Sequence, residues 1–129
     1  MNRKAKVSEK PLVCIVDDDS LMRDSTGRLI RTFGFRVKTF PSAEEFEKSA
    51  YVAETACLIL DVRMPGMGGI ELWQRLVANR RKIPTIFITA FEEEGMRAKA
   101  LGDSVEALLT KPFGEEALMK AINEALAPR

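Results

Sequence analysis

Asp61 ends the apolar run Cys57-Leu58-Ile59-Leu60 and is followed at once by Val62-Arg63-Met64-Pro65-Gly66-Met67-Gly68-Gly69. A carboxylate that leaves a buried strand for a Pro/Gly-rich turn sits at the strand's C-terminal edge, where open α/β sheets place their chemistry. Three other polar signals hold equivalent positions. Asp17-Asp18-Asp19 follows Leu12-Val13-Cys14-Ile15-Val16, Thr89 follows Ile86-Phe87-Ile88, and Lys111-Pro112 follows Ala107-Leu108-Leu109-Thr110. If the strands ending at Val16 and Leu60 are neighbours, Asp17, Asp18 and Asp61 converge. Crowded carboxylates repel, so they take up protons or capture a cation. Oxygen ligands without His or Cys select a hard ion, and Mg²⁺ suits a few carboxylates supplemented by waters and a phosphate. An X-Pro bond adopts the cis form at modest cost, which would aim Lys111 back over the carboxylates.

Each signal also has a plainer explanation. Asp17 to Asp19 could simply cap the helix that follows, where anions are welcome. Lys111 could be half of a structural ion pair, and Thr89 an ordinary β-branched strand residue. Gly66, Gly68 and Gly69 are first of all turn residues. Glu92, Glu93 and Glu94 read as a solvated first helical turn. What singles the group out is its joint placement at four strand ends.

The elements that must position these groups alternate five times between strand and helix. Strands are expected at about 12–16, 35–40, 57–60, 84–88 and 106–109. The first, third and fourth are continuous apolar runs, as in a parallel sheet covered on both faces; the second alternates like a half-open edge strand. Helices are expected at about 20–33, from the Ser42-Ala43-Glu44-Glu45 capping box, at 69–79, from Glu92 to about 101, and at 114–126. Met22, Thr26, Leu29, Ile30 and Phe33 of the first helix, Ile70, Trp73, Leu76 and Val77 of the third, and Leu118, Ile122, Ala125 and Leu126 of the last should face inward. The fold class is α/β, (βα)₅, a doubly wound five-stranded parallel sheet.

A length of 129 residues fits one domain, with 46% hydrophobic and 30% charged residues. Residues 1–10 are expected to be a flexible basic tail, 11–126 the domain, and 127–129 a tail or the start of a linker. The start is basic without an apolar core behind it, so it is not a secretion signal. Twenty basic against nineteen acidic residues gives +1, which offers no case for nucleic-acid or membrane binding. No apolar stretch approaches the roughly 18 residues that span a bilayer. Cys14 and Cys57 fall inside expected buried strands and should be free and reduced, which fits a cytoplasmic location. The chain has no histidine, which excludes His-based triads and His metal sites.

The assembled pieces resemble the receiver domain of two-component response regulators over about residues 11–126. Val16-Asp17-Asp18-Asp19, Leu60-Asp61-Val62-Arg63-Met64-Pro65-Gly66, Ile88-Thr89-Ala90 and Thr110-Lys111-Pro112-Phe113 carry the resemblance. Thr39-Phe40-Pro41-Ser42-Ala43-Glu44-Glu45-Phe46 is similar to receivers of the nitrogen-fixation and nitrate-regulator type. The resemblance implies a flavodoxin-like strand order 2-1-3-4-5. It implies that Asp61 is the phosphoacceptor, and that Mg²⁺ is held directly by Asp18 and Asp61, through water by Asp17, and by the backbone carbonyl of Arg63. Thr89 would hydrogen-bond the attached phosphoryl group and Lys111 would pair with it. A sensor histidine kinase, or a small phosphodonor, would supply that group. The face made by the fourth helix, fifth strand and fifth helix would then change, allow homodimerisation, and control an output domain or partner, with transcription the expected output. The domain would be a phosphoacceptor switch with self-catalysed phosphotransfer and slow autodephosphorylation, not an enzyme.

Two places depart from the family pattern. Leu108 stands where a Tyr or Phe ring is usual, three positions before Lys111. Ser104-Val105 stands where Gly-Ala is usual, so either Ser104 replaces that glycine or Gly102 marks an insertion of two residues. An Asp-nucleophile phosphohydrolase would want a second carboxylate two residues after Asp61, and Arg63 occupies that position. A receiver-like domain that only binds would be expected to have lost one of the five key positions, and all are present.

Overall fold

The computed structural model describes residues 10–99, 101 and 105–128. Nearly all of the expected N-terminal tail, the Gly102 and Ser104 positions, and Arg129 lie outside the described residues. The chain alternates β1 (Leu12–Val16), α1 (Ser20–Thr32), β2 (Arg36–Phe40), α2 (Ala43–Glu47), β3 (Thr55–Asp61), α3 (Gly69–Ala78), β4 (Thr85–Thr89), α4 (Glu92–Lys99), β5 (Val105–Thr110) and α5 (Glu115–Leu126). The strands form one sheet in the order β2-β1-β3-β4-β5, every pair parallel.

Strand alternation splits the interior in two. Leu12, Cys14 and Val16 of β1, Leu58 and Leu60 of β3 and Phe87 of β4 pack with Phe46 of α2, Leu72, Trp73 and Leu76 of α3 and Ala98 of α4. Val13, Ile15, Cys57, Ile59, Ile86 and Ile88 pack with Ile30 of α1 and with Leu118, Ala121, Ile122 and Ala125 of α5. The sheet thus has α2, α3 and α4 on one face and α1 and α5 on the other. β2 is an edge strand with its charged residues outward, as its alternation predicts. Phe40 meets Phe46 edge-on at 5.3 Å between ring centroids. Such a pair adds about 0.5–1.5 kcal/mol beyond its buried area and ties β2 to the short α2.

Local chemistry sets the element ends. The Asp19 carboxylate accepts from the amides of Leu21 and Met22 and caps α1. Ser42 Oγ accepts from the Glu45 amide and caps α2. β3 starts two residues before the apolar run. A polar Thr55 can begin it because its hydroxyl donates to the Tyr51 carbonyl at 2.7 Å and lies 3.2 Å from Cys14 Sγ. Both cysteines are free and buried, and burial pushes the Cys57 thiol up to about 12.

The helical faces differ from expectation at one helix above all. In α3 it is Leu72, with Trp73 and Leu76, that is buried, whereas Val77 is 49% exposed and Ile70 is only half-buried. Leu72 faces the sheet because Gly69 docks against the Asp61 carbonyl, which sets a rotation of α3 that helical spacing alone does not give. In α1, Thr26 and Ile30 are buried, and Met22, Leu29 and Phe33 are half-buried. In α5, Leu126 is half-buried and Ala121 is inside instead.

Candidate phosphoacceptor and metal site

Strand register brings the chemistry together. Val16 pairs with Leu60, Asp61 with Ile88, and Thr89 with Thr110. Asp17, Asp61, Thr89 and Lys111 therefore leave the same edge of the sheet. Backbone bonds continue the ladder past the strand ends, from Asp17 N to the Phe40 carbonyl, from Val62 N to the Ile88 carbonyl, and from Lys111 N to the Thr89 carbonyl.

The acidic triplet divides its work. Asp19 caps α1, while Asp17 and Asp18 remain at the sheet edge. Carboxylate oxygens of Asp17, Asp18 and Asp61 all lie within 4.8 Å of one another, a spacing from which one cation could be reached by all three. Asp17 and Asp61 are buried and Asp18 is exposed, so the group opens to solvent on one side. The donor set is oxygen only, which fits a hard cation. Asp17 Oδ1 accepts from the Asp19 amide at 3.0 Å, and Arg23 Nη1 donates to the Asp17 carbonyl at 2.8 Å.

The Lys111–Pro112 peptide is cis. Lys111 Nζ lies 3.2 Å from Asp61 Oδ2 and 3.3 Å from Asp17 Oδ2, bridging the two buried carboxylates. Burial raises the Asp61 pKa first, and the neighbouring Asp17 raises it further, to about 7, against the partial relief Lys111 gives. Burial works against the charged lysine as well, but Asp61 and Asp17 outweigh it and hold its pKa above the ordinary value. Asp61 Oδ1 accepts from the Arg63 amide at 3.2 Å, which orients the carboxylate.

The turn after Asp61 is built around two glycines. Gly66 has a φ of +73°, the left-handed region open to glycine, and a Cβ there would meet Glu44 Oε2 at 2.6 Å. That same Glu44 oxygen accepts from the Met67 amide at 2.9 Å and pins the turn to α2. At Gly69 a Cβ would overlap the Asp61 carbonyl oxygen, so α3 can begin this close to the site only with no side chain there.

Thr89 is 1% exposed, and its hydroxyl accepts from the Phe91 amide at 3.0 Å and lies 3.3 Å from the Phe91 carbonyl. Its hydrogen bonds go to that loop and not to the carboxylates. Ala90 beside it is exposed, which keeps the site open. Sequence reasoning missed a strap across the site. Arg63 Nε donates to Glu94 Oε2 at 3.0 Å, and the Arg63 guanidinium lies 3.9 Å from the centre of the Phe91 ring. Glu94 was expected in a solvated helical turn, but its side chain is only 13% exposed. The partner that draws it inward is 31 residues away in sequence.

The family model of the response regulator receiver domain matches residues 13–123. The chain belongs to that family. Among curated relatives, the response regulator protein TmoT of Ectopseudomonas mendocina is 37% identical over 126 residues, covering 98% of this chain and 57% of TmoT. The transcriptional regulatory protein FixJ of Bradyrhizobium diazoefficiens is 32% identical over 120 residues, covering 93% of this chain and 58% of FixJ. Among solved structures, the response regulator StyR superposes with a TM-score of 0.84 at 43% identity, over 91% of this chain and 59% of that one. A CheY-like receiver domain protein from Methanospirillum hungatei JF-1 gives 0.79 at 25% identity, over 92% and 94%. The receiver spans between 52% and 57% of the length of the first curated relatives it matches. Response regulators partner with sensor histidine kinases, and the receiver domain is a signalling switch in two-component systems. Among the described residues of this receiver, no helix is long and apolar enough to cross a membrane.

Proposed function

We propose that this receiver is switched by phosphorylation of Asp61. One observation carries the proposal: Asp61 is buried yet its carboxylate faces a lysine ammonium at 3.2 Å, beside two further carboxylates within reach of a shared cation. An Asp61 oxygen attacks the phosphorus of a phosphohistidine on a histidine kinase, or of a small acyl phosphate. A P–O bond forms as the P–N or P–O bond to the donor breaks, leaving an aspartyl phosphate. Asp61 must be ionised to attack, and cation binding at the acidic cluster keeps it so. Bound Mg²⁺, held by Asp18, Asp61, the Arg63 carbonyl and, through water, Asp17, would supply positive charge to the transferring oxygens. Lys111 exchanges its two carboxylate partners for the phosphoryl oxygens. Thr89 turns its hydroxyl from the Phe91 backbone to the same group. The face formed by α4, β5 and α5 then changes and controls a cytoplasmic output domain or partner, with dimerisation as one means and transcription as the output.

Labelling with acetyl phosphate and Mg²⁺ tests the chemistry. The adduct should survive acid, be lost in base, map to Asp61, and be absent in Asp61→Asn. A label on Asp17, Asp19 or a hydroxyl residue would refute the assignment. If Asp18→Asn labels as well as the unmodified receiver, the metal ligands are assigned wrongly.

A further inference from the structure

A second site lies at the opposite edge of the sheet, where β4 begins and α3 ends. A cavity of about 580 Å³ opens there between the two elements. Its wall is apolar, made by Trp73, Leu76 and Val77 of α3 and by Ile83 and Pro84 of the connection to β4. Consecutive cations, Arg80, Arg81 and Lys82, line its mouth. All three are exposed, and among the described residues none is in a salt bridge. Glu106 also borders the cavity, so cations outnumber carboxylates there by three to one. Apolar walls with a few convergent charged groups, in a volume between about 300 and 1,000 Å³, are the usual makings of a small-molecule site.

The backbone supplies an independent observation. The Arg81 amide donates to the Leu76 carbonyl at 2.8 Å and the Arg80 amide to the Val77 carbonyl at 3.0 Å. That is the Schellman end of a helix, whose left-handed position is normally glycine. Here it is Arg80, with a φ of +61°. The left-handed conformation is strained for a residue with a Cβ. A cation is kept at the mouth of the cavity where glycine would be relaxed, and strain retained in this way clusters at ligand clamps.

We infer that this cavity binds a small amphipathic anion, an acid with an apolar body. The body fills the space against Trp73, Leu76 and Val77, and the acid group meets Arg80, Arg81 and Lys82. The site is separate from Asp61 and does not depend on phosphorylation.

Trp73 is the only tryptophan of the chain and is 8% exposed on the cavity wall, so its emission reports occupancy directly. Sodium octanoate, titrated into the receiver, should change that emission saturably with one-to-one stoichiometry by calorimetry. Binding should weaken as salt rises. Octanol and octyltrimethylammonium should bind about tenfold more weakly, since they lack the charge the mouth complements. Arg80→Gly should raise the thermal midpoint and yet weaken octanoate binding several-fold, which separates loss of the site from loss of the fold. Val77→Glu, at an exposed position, should abolish binding while leaving acetyl-phosphate labelling intact. Octanol binding as tightly as octanoate, or Arg80→Gly keeping full affinity, would overturn the assignment. So would a concentration-dependent dimer that Val77→Glu abolishes and octanoate fails to disperse, because the groove would then belong to a second copy of the chain.

Discussion

Asp61 carries opposing demands. Its pKa is raised by burial and by Asp17, to about 7, so the metal-free fold favours the neutral acid while phosphotransfer needs the anion. An acid whose pKa is higher folded than unfolded adds stability that is complete below its ordinary value, 3.8, and is lost as pH rises through about 7. In chelator, the urea midpoint of the receiver should therefore drop across that window relative to Asp61→Asn, which has no charge to bury. The two curves should meet near pH 4 and part by about pH 8, with the variant more stable. Parallel curves would show that the Asp61 carboxyl is not strained by its neighbours. The strand-end residues were legible in the sequence because each follows a continuous apolar run. The pairing of the Arg63 side chain with Glu94 was not, because nothing local marks a pair 31 residues apart. Arg23 was missed likewise: its bond to the Asp17 carbonyl depends on where α1 folds back.

Elements place these residues, and α3 leaves the least room. Gly69→Ala would drive a methyl into the Asp61 carbonyl, and overpacking of this kind costs about 1–3 kcal/mol or more. The expected result is a lower denaturation midpoint together with impaired labelling. Normal labelling at a normal midpoint would mean that the start of α3 yields easily. The inward face of α3 was only partly legible. Ile70, Trp73, Leu76 and Val77 fit a helical stripe, yet the sheet takes Leu72 and leaves Val77 outside. Periodicity fixes a stripe's spacing, while its rotation follows from where Gly69 docks. On the proposed function, the relay to α4 should turn on the loop from Ala90 to Glu94. Thr89 is bonded to Phe91, and Phe91 lies under Arg63, so a Thr89 that moves must carry this loop with it. Leu108 is smaller than the ring usual in the family, so inward and outward placements of it would differ less in buried area. Phe91→Ala should therefore uncouple phosphorylation from partner binding or dimerisation more than Leu108→Ala does. The reverse ranking would return the switch to position 108.

Across the whole molecule, the succession of five strands and five helices along the chain was readable from alternation, while the 2-1-3-4-5 order of the sheet rested on the family resemblance. Cover on both faces was expected from the continuous apolar strands, but which helix crosses to which face was not readable. The cation-reaching cluster draws on residues after β1 and at the end of β3, so a cation bound there should stabilise the entire fold by mass action. Mg²⁺ at ten times its dissociation constant should add about 1.4 kcal/mol to unfolding stability, by the logarithm of site saturation. Asp18→Asn should lose most of that gain in a thermal scan, and an undiminished gain would place the ion elsewhere.

The seat of α4 has a consequence of its own. The residues it buries are Gly95 and Ala98, and a Cβ on Gly95 would come within 3.0 Å of Leu108. Met96, its largest apolar side chain, is 67% exposed. A helix with so little apolar footing opens at a small fraction of the global unfolding free energy. In native-state hydrogen exchange, α4 amides should trade for deuterium long before those of β3, whose residues 57–61 are all buried. Among the described residues a thinly seated helix thus lies one strand away from that buried run of β3, and on the proposed function a bond made at Asp61 should redistribute the α4 ensemble while the sheet beneath it stays shut.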